Sequence, residues 1–351
     1  MNLDPQITEL DGQLSVWSGI ATPETVETVA MMFGIERQHR SRALLNWQYL
    51  EHLGGAFVSI AFTRQGLKRG AAGMYAAFPV RFRIQDRTIL AYQSFDTLTL
   101  AAHRGQGLFV RLAELTYRKI ASAGPSLVYG IPNGESFGGF ARRLDWTTLD
   151  PFPLLVRPVG FRYFRVRARL RKPRIMQDSL SGETSCTQVS ELPDDVDELY
   201  TRSSYAHRDG VIRDHSYLNW RLRRPGSTYR LLQSRDGHGM LKALVITELV
   251  IKHGCAVGYI MESITDSSNP AVARDTLSAA VVDLKRSGAD VILGWAMPDD
   301  PQRDLFRQAK FSPLPSYLAP IELHLGFRLF GINEPLTRRH FSLSYLDSDT
   351  V

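Results

Sequence analysis

Residues Ser94 to Tyr117 read SFDTLTLAAHRGQGLFVRLAELTY, and the order of residue types along this stretch decides the fold. Alternating apolar and polar residues up to Leu100 predict a strand. Small residues with Gly105 and Gly107 follow as a turn, and from there Leu108, Leu112 and Leu115 recur at helical spacing. A strand, a glycine loop and a helix in that order leave backbone N–H groups unpaired at a helix N-terminus, where an anionic pyrophosphate binds. The same Gly-x-Gly also suits a plain tight turn. A dinucleotide fingerprint requires a third glycine where this chain has Val110, and no Gly-x-x-x-x-Gly-Lys-Ser/Thr occurs anywhere in it.

Outward from this stretch, periodicity predicts strands near 56–63, 71–80, 82–85 and 89–100, a helix from Leu108 to about Ala123, a strand at 126–131 and a helix at about 134–143. The second half predicts strands near 229–234, 241–248 and 256–264, a helix at about 271–287, a strand at 290–295 and a helix at about 301–309. A strand meander followed by strand, helix, strand, helix is an α/β (α+β layered) pattern, with helices packed on mostly antiparallel sheets.

The two halves repeat each other. Leu45-Asn46-Trp47-Gln48-Tyr49 has its counterpart in Leu218-Asn219-Trp220-Arg221-Leu222, and each is followed by a glycine turn and an apolar run. Ser126–Gly130 (SLVYG) followed by Ile131-Pro132-Asn133 corresponds to Val291–Trp295 (VILGW) followed by Met297-Pro298-Asp299. So long a period is a duplicated domain rather than a solenoid unit. The expected division is 1–160, a basic linker at 161–187, and 188–351. Where the glycine loop would recur stands Asp266-Ser267-Ser268-Asn269-Pro270, so the second copy is expected to be degenerate. Trp47 and Trp220, at matching places, are expected as core anchors.

His103-Arg104-Gly105-Gln106-Gly107-Leu108 and its amphipathic helix resemble motif A of the GNAT (GCN5-related) N-acetyltransferases, [QR]-x-x-G-x-[GA]. Tyr129-Gly130-Ile131-Pro132-Asn133 resembles the family's next strand ending in Asn, and Leu144-Asp145-Trp146 its closing Leu-Gly-Phe. The likeness covers about 90–150 and implies a tandem two-domain member with a degenerate second half. It also implies acetyl-CoA or another acyl-CoA as co-substrate, bound at Arg104, Gly105, Gln106, Gly107 and Leu108. Backbone groups of Leu98 and Leu100 would pair with the pantetheine arm, and Asn133 either holds the cofactor or caps the following helix. Arg104 meets a phosphate or stays a solvated cation.

Amide formation needs the amine deprotonated, for which Asp96, on the strand feeding the loop, is the first candidate and Glu135 the second. Two departures bear on chemistry. Ala102 replaces the motif's first Gln or Arg, and Phe140 occupies the place of the Tyr that protonates the leaving thiolate. That leaves Tyr129, another group or water for the task. The resemblance implies an N-acyltransferase acting on a primary amine of a small molecule such as an amino sugar or amino acid. The rival class is a non-catalytic acyl-CoA-binding or scaffold protein.

Bulk properties narrow the partners. The net charge of +6 is exceeded by the seven cations of Phe161–Arg174 (FRYFRVRARLRKPR), read as a solvated face of the linker since no nucleic-acid-binding motif accompanies it. Two isolated cysteines, Cys186 and Cys255, indicate neither a disulfide framework nor a metal site. No apolar run reaches membrane-spanning length and no export signal is evident, so a cytoplasmic protein is expected.

Overall fold

The computed structural model describes residues 5–132, 134–151, 153–160, 186–252, 254–315, 323–333, 336–337 and 341–348. The basic run 161–174 and Asn133 lie outside these residues. The fold is two twisted sheets with helices against their faces, as the alternation of elements required.

In the first sheet, strands β1 (Gln6–Glu9), β2 (Leu14–Ile20), β3 (Phe57–Thr63), β4 (Ala71–Ile84) and β5 (Arg87–Thr99) form an antiparallel meander, and β6 (Ser126–Gly130) joins β5 in parallel. Helix α1 (Pro23–Ile35) starts at a capping box between Thr22 and Thr25. Helix α2 (Arg42–Tyr49) starts at Ser41, whose hydroxyl accepts from Leu44 N at 3.1 Å. After the four-residue α3 (Gly66–Arg69), α4 (Leu108–Ser122) crosses from β5 to β6, burying Leu108, Leu112, Tyr117 and Ile120 against Tyr75, Ala77, Tyr92 and Val128. Helix α5 (Gly134–Arg143) follows β6, and then come β7 (Thr147–Pro151) and β8 (Leu154–Pro158).

The second sheet repeats this plan. Strand β9 (Cys186–Val189) pairs with β11 (Arg230–Arg235), which leads antiparallel into β12 (Leu241–Lys252) and β13 (Cys255–Thr265). Helix α6 (Val196–Arg202), the short β10 (Gly210–Val211) and α7 (His215–Leu222) lie between β9 and β11 in sequence. Helix α8 (Pro270–Arg286) carries the chain to β14 (Val291–Trp295), parallel to β13, and α9 (Gln302–Gln308), β15 (Ser312–Pro313) and β16 (His324–Phe330) complete the described elements.

The sheets do not divide at the linker as 1–160 and 188–351 do. Strand β8, from the first half, pairs with β14 in the second sheet, and β16, from the second half, lies between β6 and β7 in the first. Each sheet borrows its strand beyond the parallel pair from the other half. β10 adds a third crossing by pairing with β4 at Phe82 and Arg83.

The repeat seen in the letters is also a contact. Trp47 on α2 and Trp220 on α7 stack with ring centroids 4.7 Å apart and planes 10° from parallel. Trp47 Nε1 donates to the carbonyl of Trp220 at 2.8 Å, and Trp220 Nε1 donates to that of Trp47 at 3.1 Å. Such reciprocity is the mark of a two-fold contact, here within one chain.

Candidate active site

The glycine loop hangs between β5 and α4. Ala101–His103 make a single 3-10 turn, and Gly105 and Gly107 then take φ of +78° and +70°. A Cβ at either glycine would meet no atom within 4 Å, so left-handed backbone rather than crowding calls for glycine here. Gly107 is the N-cap of α4 and has no side chain to occupy the helix's first amides, which lack intrahelical acceptors. Gln106 is exposed on the loop, while Leu108 is buried against Gly73. Arg104 is neither free nor simply solvated. Its Nε donates to the Thr99 carbonyl at 3.1 Å and its guanidinium pairs with Glu36, whose carboxylate also accepts from the Ala101 amide at 2.8 Å. Glu36 caps the C-terminus of α1, so this ion pair straps the loop base to that helix.

Strands β5 and β6 pair only from Leu90↔Ser126 to Gln93↔Tyr129 and then part, while β5 continues along β4 to Thr99. The edge of β5 from Ser94 to Thr99 is therefore open for about 17 Å, a length suited to an extended arm reaching down from the loop. The expectation for Leu98 and Leu100 needs correction. The Leu100 amide donates to Ala72 at 3.0 Å, and the Leu98 carbonyl also faces β4, 3.2 Å from where a Cβ on Gly73 would sit. Backbone groups alternate sides along a strand, so the open edge belongs to Thr97 and Thr99.

At the point of divergence lies a polar cavity of about 380 Å³, lined by Gln93, Ser94, Phe95 and Asp96 of β5, by Arg40, Trp47 and Gln48, and by Arg224 and Ser348 from the second half. A bulge puts Phe95 out of register, with Ala77 opposite Ser94 and Ala76 opposite Asp96. Asp96 is buried, and its Oδ2 accepts from Arg40 Nη1 and from the Tyr49 hydroxyl, both at 2.8 Å. Tyr129 is not on the wall of this cavity. Its ring is fully buried, and its hydroxyl donates to Gln93 Oε1 at 3.1 Å. Phe140 packs in the apolar layer under α4, 4.4 Å from Trp146 and 5.2 Å from Phe109 between centroids. The side chain of Glu135 lies outside what is described. Among the described residues, no group of three or more His, Cys, Asp or Glu is placed to hold a metal.

Sequence reading missed Arg40, Tyr49 and Gln93. Tyr49 had a faint signal, since it is the position at which LNWQY departs from LNWRL by losing an aliphatic residue for a hydroxyl-bearing one.

The second half contains a sealed counterpart. Its β12–β13 pair has the same bulge, with Ile246 opposite Glu262, so Glu262 stands where Asp96 does. It too is held by an Arg and a Tyr, with Arg213 Nε at 2.6 Å and the Tyr205 hydroxyl at 2.9 Å. Here the chain's own residues close the site, because Ser344 Oγ donates to Glu262 at 2.7 Å and Asp347 takes Arg213 Nη2 at 2.6 Å. The stretch from carboxylate to helix is eight positions, Glu262 to Pro270, against twelve from Asp96 to Leu108. At its turn, Asp266 accepts from the Ser268 amide and hydroxyl at 2.9 and 2.6 Å, and Asn269 caps Val272 at 3.4 Å. Pro270 contributes no amide. Burial alone would raise the Asp266 pKa, but Ser268 and Lys242 together bring it down to about 2, a fixed internal anion where the first half leaves amides open.

A larger cavity of about 710 Å³ opens where β4 is unpaired between β3 and β10, with Ile20, Phe57, Pro79, Val80 and Ile212 on its walls. It contains no loop residue, and the Trp47–Trp220 stack stands between it and the polar cavity. His52 on its wall is held down to about pKa 3, first by burial and then by the nearby Arg221 charge, and is neutral.

Residues 22–149 match the profile of the acetyltransferase (GNAT) domain family. No curated protein sequence matches the chain. Among solved structures, the chain is similar to a probable N-acyltransferase from Enterococcus faecalis V583, with 13% identity over 91% of this chain and 73% of that one and a TM-score of 0.58. It is similar to Saccharomyces cerevisiae N-myristoyltransferase with bound myristoyl-CoA, with 13% identity, coverage of 94% and 85%, and a TM-score of 0.59. A GCN5-related N-acetyltransferase from Anabaena variabilis ATCC 29413 gives 13% identity, 89% and 72% coverage and a TM-score of 0.59. At such identities these likenesses concern the fold. Among the described residues, no helix is long and apolar enough to cross a membrane.

Proposed function

We propose, on the premise that residues 22–149 are a GNAT domain and place the chain in that superfamily, that this protein transfers an acetyl or other acyl group from acyl-CoA to the primary amine of a small molecule. The observation that carries this reading is the continuity of three features along one strand. The left-handed glycine loop at a helix N-terminus, the open edge of β5 and the polar cavity holding Asp96 follow one another from Leu108 back to Gln93. Gly105, Gln106, Gly107 and Leu108 offer amides to the pyrophosphate, the Thr97 and Thr99 edge pairs with the arm, and the thioester comes to rest at the bulge.

Asp96, directly or through a water, takes the proton of the incoming amine, with Arg40 and Tyr49 fixing its carboxylate. The nitrogen then attacks the thioester carbon, the C–N bond forms, the C–S bond breaks and CoA leaves. Burial of Phe140 in the apolar layer means that the leaving sulfur takes its proton from water or another group rather than from this position. Arg224 and Ser348 close the cavity from the second half, and a volume of about 380 Å³ suits an amino sugar or amino acid. The two halves act as one unit, the first binding the acyl donor and the second walling the acceptor.

Calorimetric titration with acetyl-CoA and CoA, in salt high enough to suppress binding to the basic run, is expected to give one-to-one binding. An amine panel follows, read by release of the free thiol. Asp96→Asn should lower kcat by about 10²-fold or more while acyl-CoA affinity stays within a few-fold. Unchanged kcat would remove Asp96 as the base, and binding without turnover on any amine would assign the scaffold reading.

A further inference from the structure

Gln93 occupies the apex of the cleft, at the last residue of the β5–β6 pairing, on the wall it shares with Asp96. Its side chain is 3% exposed and held from one end only. Arg221 Nη2, reaching across from α7, lies 3.0 Å from Oε1, and the Tyr129 hydroxyl lies 3.1 Å from the same atom. An arginine has no acceptor, so the atom it meets must be the amide oxygen, and this settles which end of the amide is which. With Oε1 bound by two donors in the core, Nε2 is turned the other way. It has no hydrogen-bond partner among the described residues, and it is not one of the sealed, unpaired buried atoms, so it opens on the cavity.

From this geometry we infer that Gln93 is a catalytic residue that donates an Nε2–H hydrogen bond to the carbonyl oxygen of the thioester, an inference that rests on the acyl-transfer reading above. As the amine nitrogen bonds to the carbonyl carbon, the carbonyl π electrons move to oxygen, and Gln93 stabilises that negative charge without giving up its proton. The charge returns when the C–S bond breaks and the thiolate departs. Arg221 and Tyr129 are positioning residues, because they keep the amide from rotating its oxygen toward the developing charge. The second half offers a contrast. Three residues before Glu262, where Gln93 stands relative to Asp96, is Tyr259, whose ring packs edge-on against Tyr345 at 5.1 Å, so the sealed counterpart has an aromatic ring rather than an amide at this position.

Gln93→Glu tests this with little risk to the fold, since one carboxylate oxygen still accepts from Arg221 and Tyr129 while the other replaces the donor. Gln93→Met removes the donor without adding charge. For both variants kcat should fall by about 10²- to 10³-fold, the usual loss for one such donor. Affinity for CoA, which has no acyl oxygen, should stay within threefold. The wild type should bind acetyl-CoA more tightly than S-ethyl-CoA, the thioether that lacks the carbonyl, and both variants should lose that preference. If both keep kcat within threefold of wild type, or keep the preference, the inference is overturned. Loss of CoA binding or of a cooperative melt in both variants would make Gln93 a structural residue and equally overturn it. Failure of the wild type to bind acyl-CoA or to acylate any amine would instead bring down the acyl-transfer reading, a result visible without either variant.

Discussion

Replacing Gly105 and Gly107 together with valine separates the loop's chemistry from its role in the fold. Both residues have left-handed φ, and an L-residue there costs about 1–2 kcal/mol each. A Cβ at either position meets no neighbour within 4 Å, so the new side chains start in open space and the remaining structure should stay intact. The loop escapes its strain by leaving the left-handed region, which turns its amides away from a bound pyrophosphate. Each hydrogen bond to a charged group contributes about 1.5–3 kcal/mol. Losing two removes about 3–6 kcal/mol, and at about 1.4 kcal/mol per tenfold the Kd for CoA rises by roughly 10²- to 10⁴-fold. Titration calorimetry reads the affinity and a thermal melt reads the fold. Gly124 supplies the control, because it follows α4 at its other end with φ of +123° and open space around its Cβ position. Gly124→Val should cost similar stability and leave affinity unchanged. A double variant that binds CoA within threefold of wild type, or an equal loss in Gly124→Val, would refute the loop assignment.

The Trp47–Trp220 contact should appear in a double-mutant cycle of Trp→Phe variants, with a coupling of about 0.5–1.5 kcal/mol in denaturant unfolding and no coupling if the halves melt independently. Asp266 should make stability pH-dependent. Its folded pKa of about 2 lies below the ordinary 3.8, so its contribution of about 2 kcal/mol is complete above pH 3.8 and disappears as pH falls toward 2. Asp266→Asn should flatten the stability curve across that window, and an unaltered slope would show that Ser268 and Lys242 do not hold the carboxylate as described.

Elements with strong local periodicity were legible in the letters. The predicted helix from Leu108 to about Ala123 is observed as Leu108–Ser122, and the predicted strand 126–131 as Ser126–Gly130. The turn at Gln85 and Asp86 was legible because apolar and polar residues alternate from Val80 to Ile84 just before it, whereas β4, expected as two strands at 71–80 and 82–85, runs unbroken from Ala71 to Ile84. What could not be read depends on partners distant in sequence. The peptide groups of Leu98 and Leu100 face β4 rather than the open edge, since the direction of a peptide group follows from register, which is set by Ala72 across the sheet. Gln93 looks like any strand residue until Arg221, 128 positions away, is seen to hold its oxygen. The exchange of β8 and β16 left no mark because both have the composition of ordinary edge or central strands. Asp96 could be singled out as a candidate from the letters because it lies on the strand that feeds the glycine loop.

The exchanged strands also govern how the molecule must be born. While the ribosome is still extending the second half, β6 has no neighbour on its far side, because the strand that covers it, His324–Phe330, begins 194 residues after β6 ends at Gly130. Until then a row of unsatisfied peptide groups faces solvent or a chaperone. β8 is made early and waits in turn for β14, its partner 133 or more residues downstream. Neither sheet can close before strands of both halves have been made, so the duplicated halves cannot mature one after the other like beads, and a cut between them would release two open sheets rather than two working domains.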